Sequence, residues 1–298
     1  MELNVNKKIK IITYKIMQNR AKPIVFTDLD GTLLDEENYS FEPALNAIEE
    51  LKRLSVPIVL CSSKTKGEIE FYRDKIAINA PFIVENGGAI FIPDKYFSHK
   101  YSFDLSQNSY KIIKLGLNYS MLVSRLKELR KSLGIDIICL SELSAQEISK
   151  ITRLRQQEAL LSKQREYIEP FMLNQVNARE KELLFKEIKR CGLHITKGNI
   201  FYHLQGSNNK GKAVRRLMDI YKQAYSKIIS IGLGDSLNDL PMLKSVDIPI
   251  LIRKKDLSYN REIKDAIVDI HISSQAGPEG WNTAIFDCLK DYLKKPNS

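Results

Sequence analysis

The chain has 298 residues, 43% hydrophobic and 28% charged, enough for about two domains and a sizeable buried core. No apolar run reaches the roughly 18 residues of a membrane span, and the four cysteines stand singly with no Cys-x-x-Cys pair, which argues against a zinc site or a disulfide framework and for a reducing cytoplasm. The net charge of +10 and pI near 9.2 suit an anionic partner, but the basic residues are spread along helical segments among Glu and Asp and no aromatic-basic motif occurs, which argues against nucleic acid as the main partner, and a small anionic substrate explains a local positive site equally well.

Residues 1–21 are basic and interleaved with isoleucines, too short and too broken by lysine for a secretory signal, and are expected as a short helix or partly disordered extension. Residues 24–27 are apolar or β-branched and read as a buried strand that Gly31 stops. Asp28 and Asp30 therefore leave the carboxyl end of a strand, where open α/β sheets bind ligands, although Asp and Gly are also ordinary turn residues. Pro43 opens a helix with Ala44, Ile48, Leu51 and Leu54 at helical spacing. Residues 57–60 form the next strand, and Thr65-x-x-Glu68 is a capping box that starts a second helix. Ser62, Ser63 and Lys64 lie on the loop between, where hydroxyls, free helix N–H groups and an ammonium suit an anion. A third run, 81–84, passes through Glu85-Asn86-Gly87-Gly88 into 89–92, a hairpin turned at Asn-Gly. Strand, helix, strand, helix, strand predicts a parallel α/β layer with right-handed crossovers.

From about 94 the pattern changes. Helices are expected over 117–133, 144–164 and 177–191, with strands at 135–140, 166–173, 193–196 and 201–204. These read as a separate α+β domain inserted into the first. Residues 164–171 alternate in strand fashion and carry Arg165, Glu166 and Glu169, while His203 sits in a further strand. The doubly wound pattern resumes at 208–212 with Lys210-Gly211 opening a helix. Strand 228–233 then runs into Gly234-Asp235-Ser236-Leu237-Asn238-Asp239, where acids also suit a helix start. Strands at 248–252 and 268–272 follow, and Gly277-Pro278-Glu279-Gly280-Trp281-Asn282 leads into a terminal helix.

Asp28, Asp30, Asp235 and Asp239 thus come from two strand ends that a parallel sheet can set side by side. Crowded carboxylates repel unless a cation compensates, and an oxygen-only ligand set favours Mg2+ over zinc. Magnesium keeps sites for waters and substrate phosphate, so phosphoryl chemistry follows, with Lys210 and Ser62 holding the phosphoryl oxygens.

In order and spacing, Asp28-x-Asp30-Gly31-Thr32, Ser62 after a strand, Lys210-Gly211 and Gly234-Asp235-Ser236-x-Asn238-Asp239 resemble the four motifs of the haloacid dehalogenase-like (HAD) hydrolases. Within that superfamily, residues 61–65, 85–88, 165–171 and 277–282 resemble the mannosyl-3-phosphoglycerate phosphatase family. The resemblance implies an α/β fold: a HAD-like doubly wound parallel sheet core over 22–93 and 205–298, with an inserted α+β cap of the C2 type over 94–204. It implies that Asp28 is the nucleophile and Asp30 the general acid and base, and that Mg2+ is held by Asp28, the Asp30 carbonyl, Asp235 and Asp239. Ser63, Lys64, Asn86, Arg165, Glu166, Glu169, Arg179 and His203 are the expected substrate-binding residues, Arg165, Glu166 and Glu169 being suited to a carboxylate and sugar hydroxyls. The implied reaction is hydrolysis of mannosyl-3-phosphoglycerate to mannosylglycerate, a compatible solute. The glucosyl substrate, dual specificity, a broader sugar phosphatase, a phosphosugar mutase and a non-catalytic binding module are the alternatives. The expected partner is a small phosphorylated glycoside, with no nucleic acid and no membrane, for a cytoplasmic monomer or homodimer.

Overall fold

The computed structural model describes residues 21–198 and 200–290, so the extension expected over 1–21 lies, apart from Ala21, outside the described residues. The first part of the chain holds β1 (Lys22–Thr27), α1 (Leu45–Arg53), β2 (Ile58–Leu60), α2 (Lys66–Ile76), β3 (Phe82–Val84), β4 (Ala89–Pro93), β5 (Leu105–Gln107) and β6 (Tyr110–Lys114). The middle holds α3 (Tyr119–Leu133), β7 (Ile137–Cys139), α4 (Ala145–Thr152), α5 (Gln156–Ser162), β8 (Ile168–Leu173), α6 (Ala178–Arg190), β9 (His194–Lys197) and β10 (Tyr202–Gln205). The last part holds α7 (Lys210–Ala224), β11 (Ile228–Gly234), α8 (Leu240–Leu243), β12 (Ile248–Arg253), α9 (Arg261–Ala266), β13 (His271–Ala276) and α10 (Gly277–Leu289).

Five strands form a parallel sheet in the order β13-β12-β11-β1-β2. Helices cover both faces, which is why these strands read as continuous apolar runs. Val25 on β1 meets Ala47, Ile48 and Leu51 of α1 and Trp281 and Ile285 of α10. Ile24 and Phe26 point the other way, to Val214, Leu217 and Tyr221 of α7. β1 is flanked by its sequence neighbour β2 on one side and by the distant β11 on the other, so the chain reverses its winding there and leaves a crevice at the strand ends.

A second sheet, β3-β4-β6-β5, is antiparallel and joins the β2 edge through one bridge, Cys61 to Ile83. An inserted domain expected to start at 94 does not anticipate β6, which pairs with β4, or β5, which pairs with β6. None of the three residues Leu105–Gln107 is buried, so no apolar alternation marks the strand in the sequence. The third sheet, β7-β8-β10-β9, is antiparallel and carries α3 and α6 on one face, where Leu122, Leu126, Leu184 and Ile188 pack on Phe171 and Leu204.

Three further expectations are corrected. The helix over 144–164 is two helices, broken where Arg153 takes a left-handed conformation (φ 63) and closes α4 through its N–H on the Ser149 carbonyl. The last strand is β13 at His271–Ala276, displaced from 268–272 because Val268 is 89% exposed. The motif at 277–282 lies inside α10, not ahead of it. No helix among the described residues is long and apolar enough to cross a membrane.

Candidate active site

The carboxyl ends of β1 and β11 meet, and carboxylate oxygens of Asp28, Asp235 and Asp239, separated in sequence by some two hundred positions, come within 4.8 Å of one another, all buried. Lys210, at the first turn of α7 and wholly buried, puts its Nζ 2.7 Å from Asp28 Oδ1 and 2.6 Å from Asp239 Oδ1. Thr32 Oγ1 donates to Asp235 Oδ1 at 2.8 Å, and the Asp235 and Ser236 N–H groups donate to Asp239 Oδ2 at 3.1 and 3.0 Å. Gly31 permits this approach: its φ is +76, and a Cβ there would sit 3.0 Å from Asp235 Oδ2. Below the site, Trp281 Nε1 donates to Thr27 Oγ1 at 3.0 Å and Asn282 Oδ1 accepts from the Ala47 N–H, so this motif braces β1 and α1.

The charges do not balance. Burial, then the Asp239 carboxylate, push the Asp28 carboxyl up to about 7 against the pull of Lys210. Burial, with Asp239 and Asp28, raises Asp235 well above the carboxylate range. Burial works against the Lys210 ammonium, but Asp239 and Asp28 outweigh it and hold the charge in place. Three carboxylates facing one ammonium, with only oxygen donors, fit a hard divalent cation of the Mg2+ kind.

Asp30 stands apart from this cluster. Its Oδ2 pairs with Lys64 Nζ at 3.0 Å, while Oδ1 is buried and meets no hydrogen-bond partner among the described residues. Lys64 also lies 3.7 Å from Glu68 and under the Tyr39 ring, 5.2 Å from its centroid. A cavity of about 470 Å³ opens above Asp28, Asp30, Ser63 and Lys64, and residues of the middle domain, including Pro170 and His203, roof it. That volume lies within the roughly 300–1,000 Å³ of small-molecule sites.

The expected substrate-binding residues divide. Ser63, Lys64, Arg165 and His203 border the cavity. Ser62 is buried at the end of β2 and its Oγ accepts from the Lys64 N–H at 3.3 Å. Asn86 is a buried hub: its Nδ2, with two N–H groups, lies 3.2 Å from each of Thr196 Oγ1, His203 Nδ1 and Gln205 Oε1, and its Oδ1 accepts from Asn238 Nδ2 at 3.2 Å. The His203 ring, depressed to about 3 by burial and the nearby cations Arg165 and Lys210, is neutral.

Arg165 is fully engaged. Its Nη1 donates to the Ser63 carbonyl at 2.6 Å, its Nε to the Ser162 carbonyl at 2.8 Å, and its Nη2 lies 3.5 Å from Glu68. It clamps the inserted domain to the core instead of offering a free guanidinium. Glu169 pairs with Leu204 in register and turns with it to the helix-covered face, where its Oε1 accepts from the Ser141 N–H at 3.0 Å. Glu166 borders a different cavity, with Lys66, Glu70 and Tyr167. Arg179, in the first turn of α6, is exposed and away from the site cavity.

Sequence reading missed Glu85. From the hairpin turn its carboxylate accepts the N–H groups of Glu166, Tyr167 and Ile168 at 2.9, 3.0 and 2.9 Å, tying the start of β8 to the core. An acid ahead of Asn-Gly-Gly looks like turn chemistry, and nothing local shows which backbone lies opposite. Burial pushes the Glu85 carboxyl from 4.5 up to about 7, against Arg165 and the three N–H groups, which favour the charged form. The folded chain therefore holds this proton more tightly than the unfolded one, and the linked stability, complete below pH 4.5, is lost as pH rises through about 7. Glu85→Gln is expected to lose about 1–3 kcal/mol and to abolish this part of the slope of melting temperature against pH; an unchanged slope contradicts the assignment.

Residues 25–257 match the family profile described as haloacid dehalogenase-like hydrolase. The chain belongs to this family and is a phosphoric monoester hydrolase. It is 44% identical over 269 residues to the glucosyl-3-phosphoglycerate/mannosyl-3-phosphoglycerate phosphatase of Methanococcoides burtonii, covering 90% of this chain and 97% of that one. It is 38% identical over 250 residues to the mannosyl-3-phosphoglycerate phosphatase of Pyrococcus furiosus, covering 83% and 99%. In fold it is similar to protein 0175 of Thermoplasma acidophilum (TM-score 0.65, 20% identity, 91% and 99% covered) and to the HAD subclass IIB sugar phosphatase BT4131 (TM-score 0.61, 16% identity, 91% and 98% covered).

Proposed function

We propose that the chain is a Mg2+-dependent phosphatase that hydrolyses mannosyl-3-phosphoglycerate, and glucosyl-3-phosphoglycerate as well, to the glycosylglycerate and phosphate. The observation that carries this reading is the meeting of Asp28, Asp235 and Asp239 around Lys210 beneath the cavity. Two relatives, at 44% and 37% identity, bear both substrates in their names, which favours dual specificity over the mannosyl substrate alone.

Asp28, Asp235 and Asp239, with the Asp30 carbonyl, would hold the cation, which when bound neutralises the carboxylates and polarises the phosphoryl group. Asp28 attacks phosphorus in line, forming an aspartyl phosphate as the bond to the leaving oxygen breaks. Asp30 donates its proton to that leaving alkoxide and then takes one from the water that hydrolyses the intermediate. Its unpartnered Oδ1 suits this exchange, because Lys64 holds the other oxygen and fixes the carboxyl. Asp30→Asn is expected to lower kcat roughly 10²- to 10⁴-fold, while a loss under about three-fold excludes a proton-transfer role.

Phosphate release across mannosyl and glucosyl 3-phosphoglycerates and simple hexose phosphates tests the reading. The two glycosyl phosphoglycerates are expected to give the highest kcat/KM, lost with chelator and restored by Mg2+. A preference for hexose phosphates contradicts it.

A further inference from the structure

We propose that Arg153 is the specificity-determining residue that reads the carboxylate of the substrate's leaving group, a task that the residue pattern had pointed toward Arg165. The inference rests on the proposed function, because it states what that leaving group presents to the protein.

Among the described residues, four cations border the cavity: Lys64, Arg153, Arg165 and Lys255. Three are taken. Lys64 is held by Asp30 and Glu68, Arg165 by two carbonyls and Glu68, and Lys255 pairs with Glu37. Among the described residues the Arg153 guanidinium has neither ion pair nor hydrogen bond. Arg153 is itself exposed, and the cavity it borders takes Leu140, Ile148, Ile151, Leu154, Ile200 and Phe201 among its lining residues. A free guanidinium offers a carboxylate two parallel N–H donors in a planar fork, which a lysine does not.

Arg153 is also tied to the reacting end. It follows Thr152, whose carbonyl accepts the Tyr39 hydroxyl at 2.7 Å, and the Tyr39 ring lies over Lys64, which holds Asp30. A carboxylate a few bonds from the phosphoryl group falls within the reach of an arginine side chain anchored there. The backbone adds a second sign. At φ 63, Arg153 occupies the left-handed position that ends α4, where glycine is the natural residue and arginine is strained.

That conformation supplies the test. Arg153→Gly removes the guanidinium and relieves the backbone, so the variant is expected to melt no lower than the wild type. Two substrates are compared: glucosyl-3-phosphoglycerate and the same glycoside with the carboxylate reduced to a primary alcohol. The wild type is expected to favour the carboxylate about ten-fold or more in kcat/KM. In Arg153→Gly this preference should collapse, mainly through KM, and Arg153→Lys should retain part of it. An unchanged preference in Arg153→Gly, or no preference in the wild type, overturns the inference while leaving the proposed function standing. Turnover of an aryl phosphate with none of either glycoside shows instead that the proposed function has failed, and the inference falls with it.

Discussion

Asp28→Asn is expected to cut phosphate release roughly 10⁴-fold or more while leaving the fold intact. An amide does not attack phosphorus, so the covalent route closes and neither Asp30 nor Lys210 replaces the missing bond. The same change removes one of three carboxylates crowded within 4.8 Å, and its Oδ1 can still accept from Lys210. Like-charge repulsion falls, so the variant should melt at or above the wild-type temperature in chelator, as expected where a site is arranged for chemistry at the expense of stability. Loss of activity together with a clear loss of stability would point to a structural role for Asp28, and retention of activity would exclude it as the nucleophile.

Lys210→Met is expected to have the largest effect on stability. The side chain is wholly buried between Asp28 and Asp239, and methionine replaces its bulk without its charge. Breaking a buried pair by removing one partner typically costs about 3–5 kcal/mol, because the remaining charges are left uncompensated. Here two carboxylates lose their common counter-ion, so unfolding in denaturant with chelator should shift to markedly lower concentration. Added Mg2+ should recover part of the loss, since the cation binds the folded state through the same carboxylates. Turnover should remain low with Mg2+ present, because the ammonium also steadies Asp28. A midpoint unchanged from wild type contradicts the electrostatic account.

What the sequence makes legible is local. Asp28 and Asp235 each follow an apolar strand and Asp239 lies one turn beyond, so their place at the carboxyl edge of a sheet can be read from neighbouring residues alone. Which strand ends meet depends on β11 pairing with β1 across some two hundred residues, and here the motif resemblance supplies what periodicity does not. The roof of the site is less legible because faces alternate with every residue. Pro170 looks into the cavity and Glu169, one position earlier, looks away to α3. The clamp of Arg165 on the Ser63 carbonyl and the hold of Glu85 on three N–H groups join segments 81 to 102 positions apart, with no trace in either segment's composition. The break at Arg153 is hidden because residues on both sides suit a helix, and only the buried Leu154 and the second capping acid, Glu158, mark it.

The most direct test is to trap the bond that the site is argued to form. Wild-type protein mixed with 32P-labelled glucosyl-3-phosphoglycerate and Mg2+, quenched within one turnover and reduced with borohydride, should carry acid-stable phosphate label before reduction and homoserine at position 28 after it. Chelator or Asp235→Asn should suppress both signals. Full turnover with position 28 unmodified throughout, or label at another residue, would contradict a phosphoryl-transfer centre built from the ends of β1 and β11.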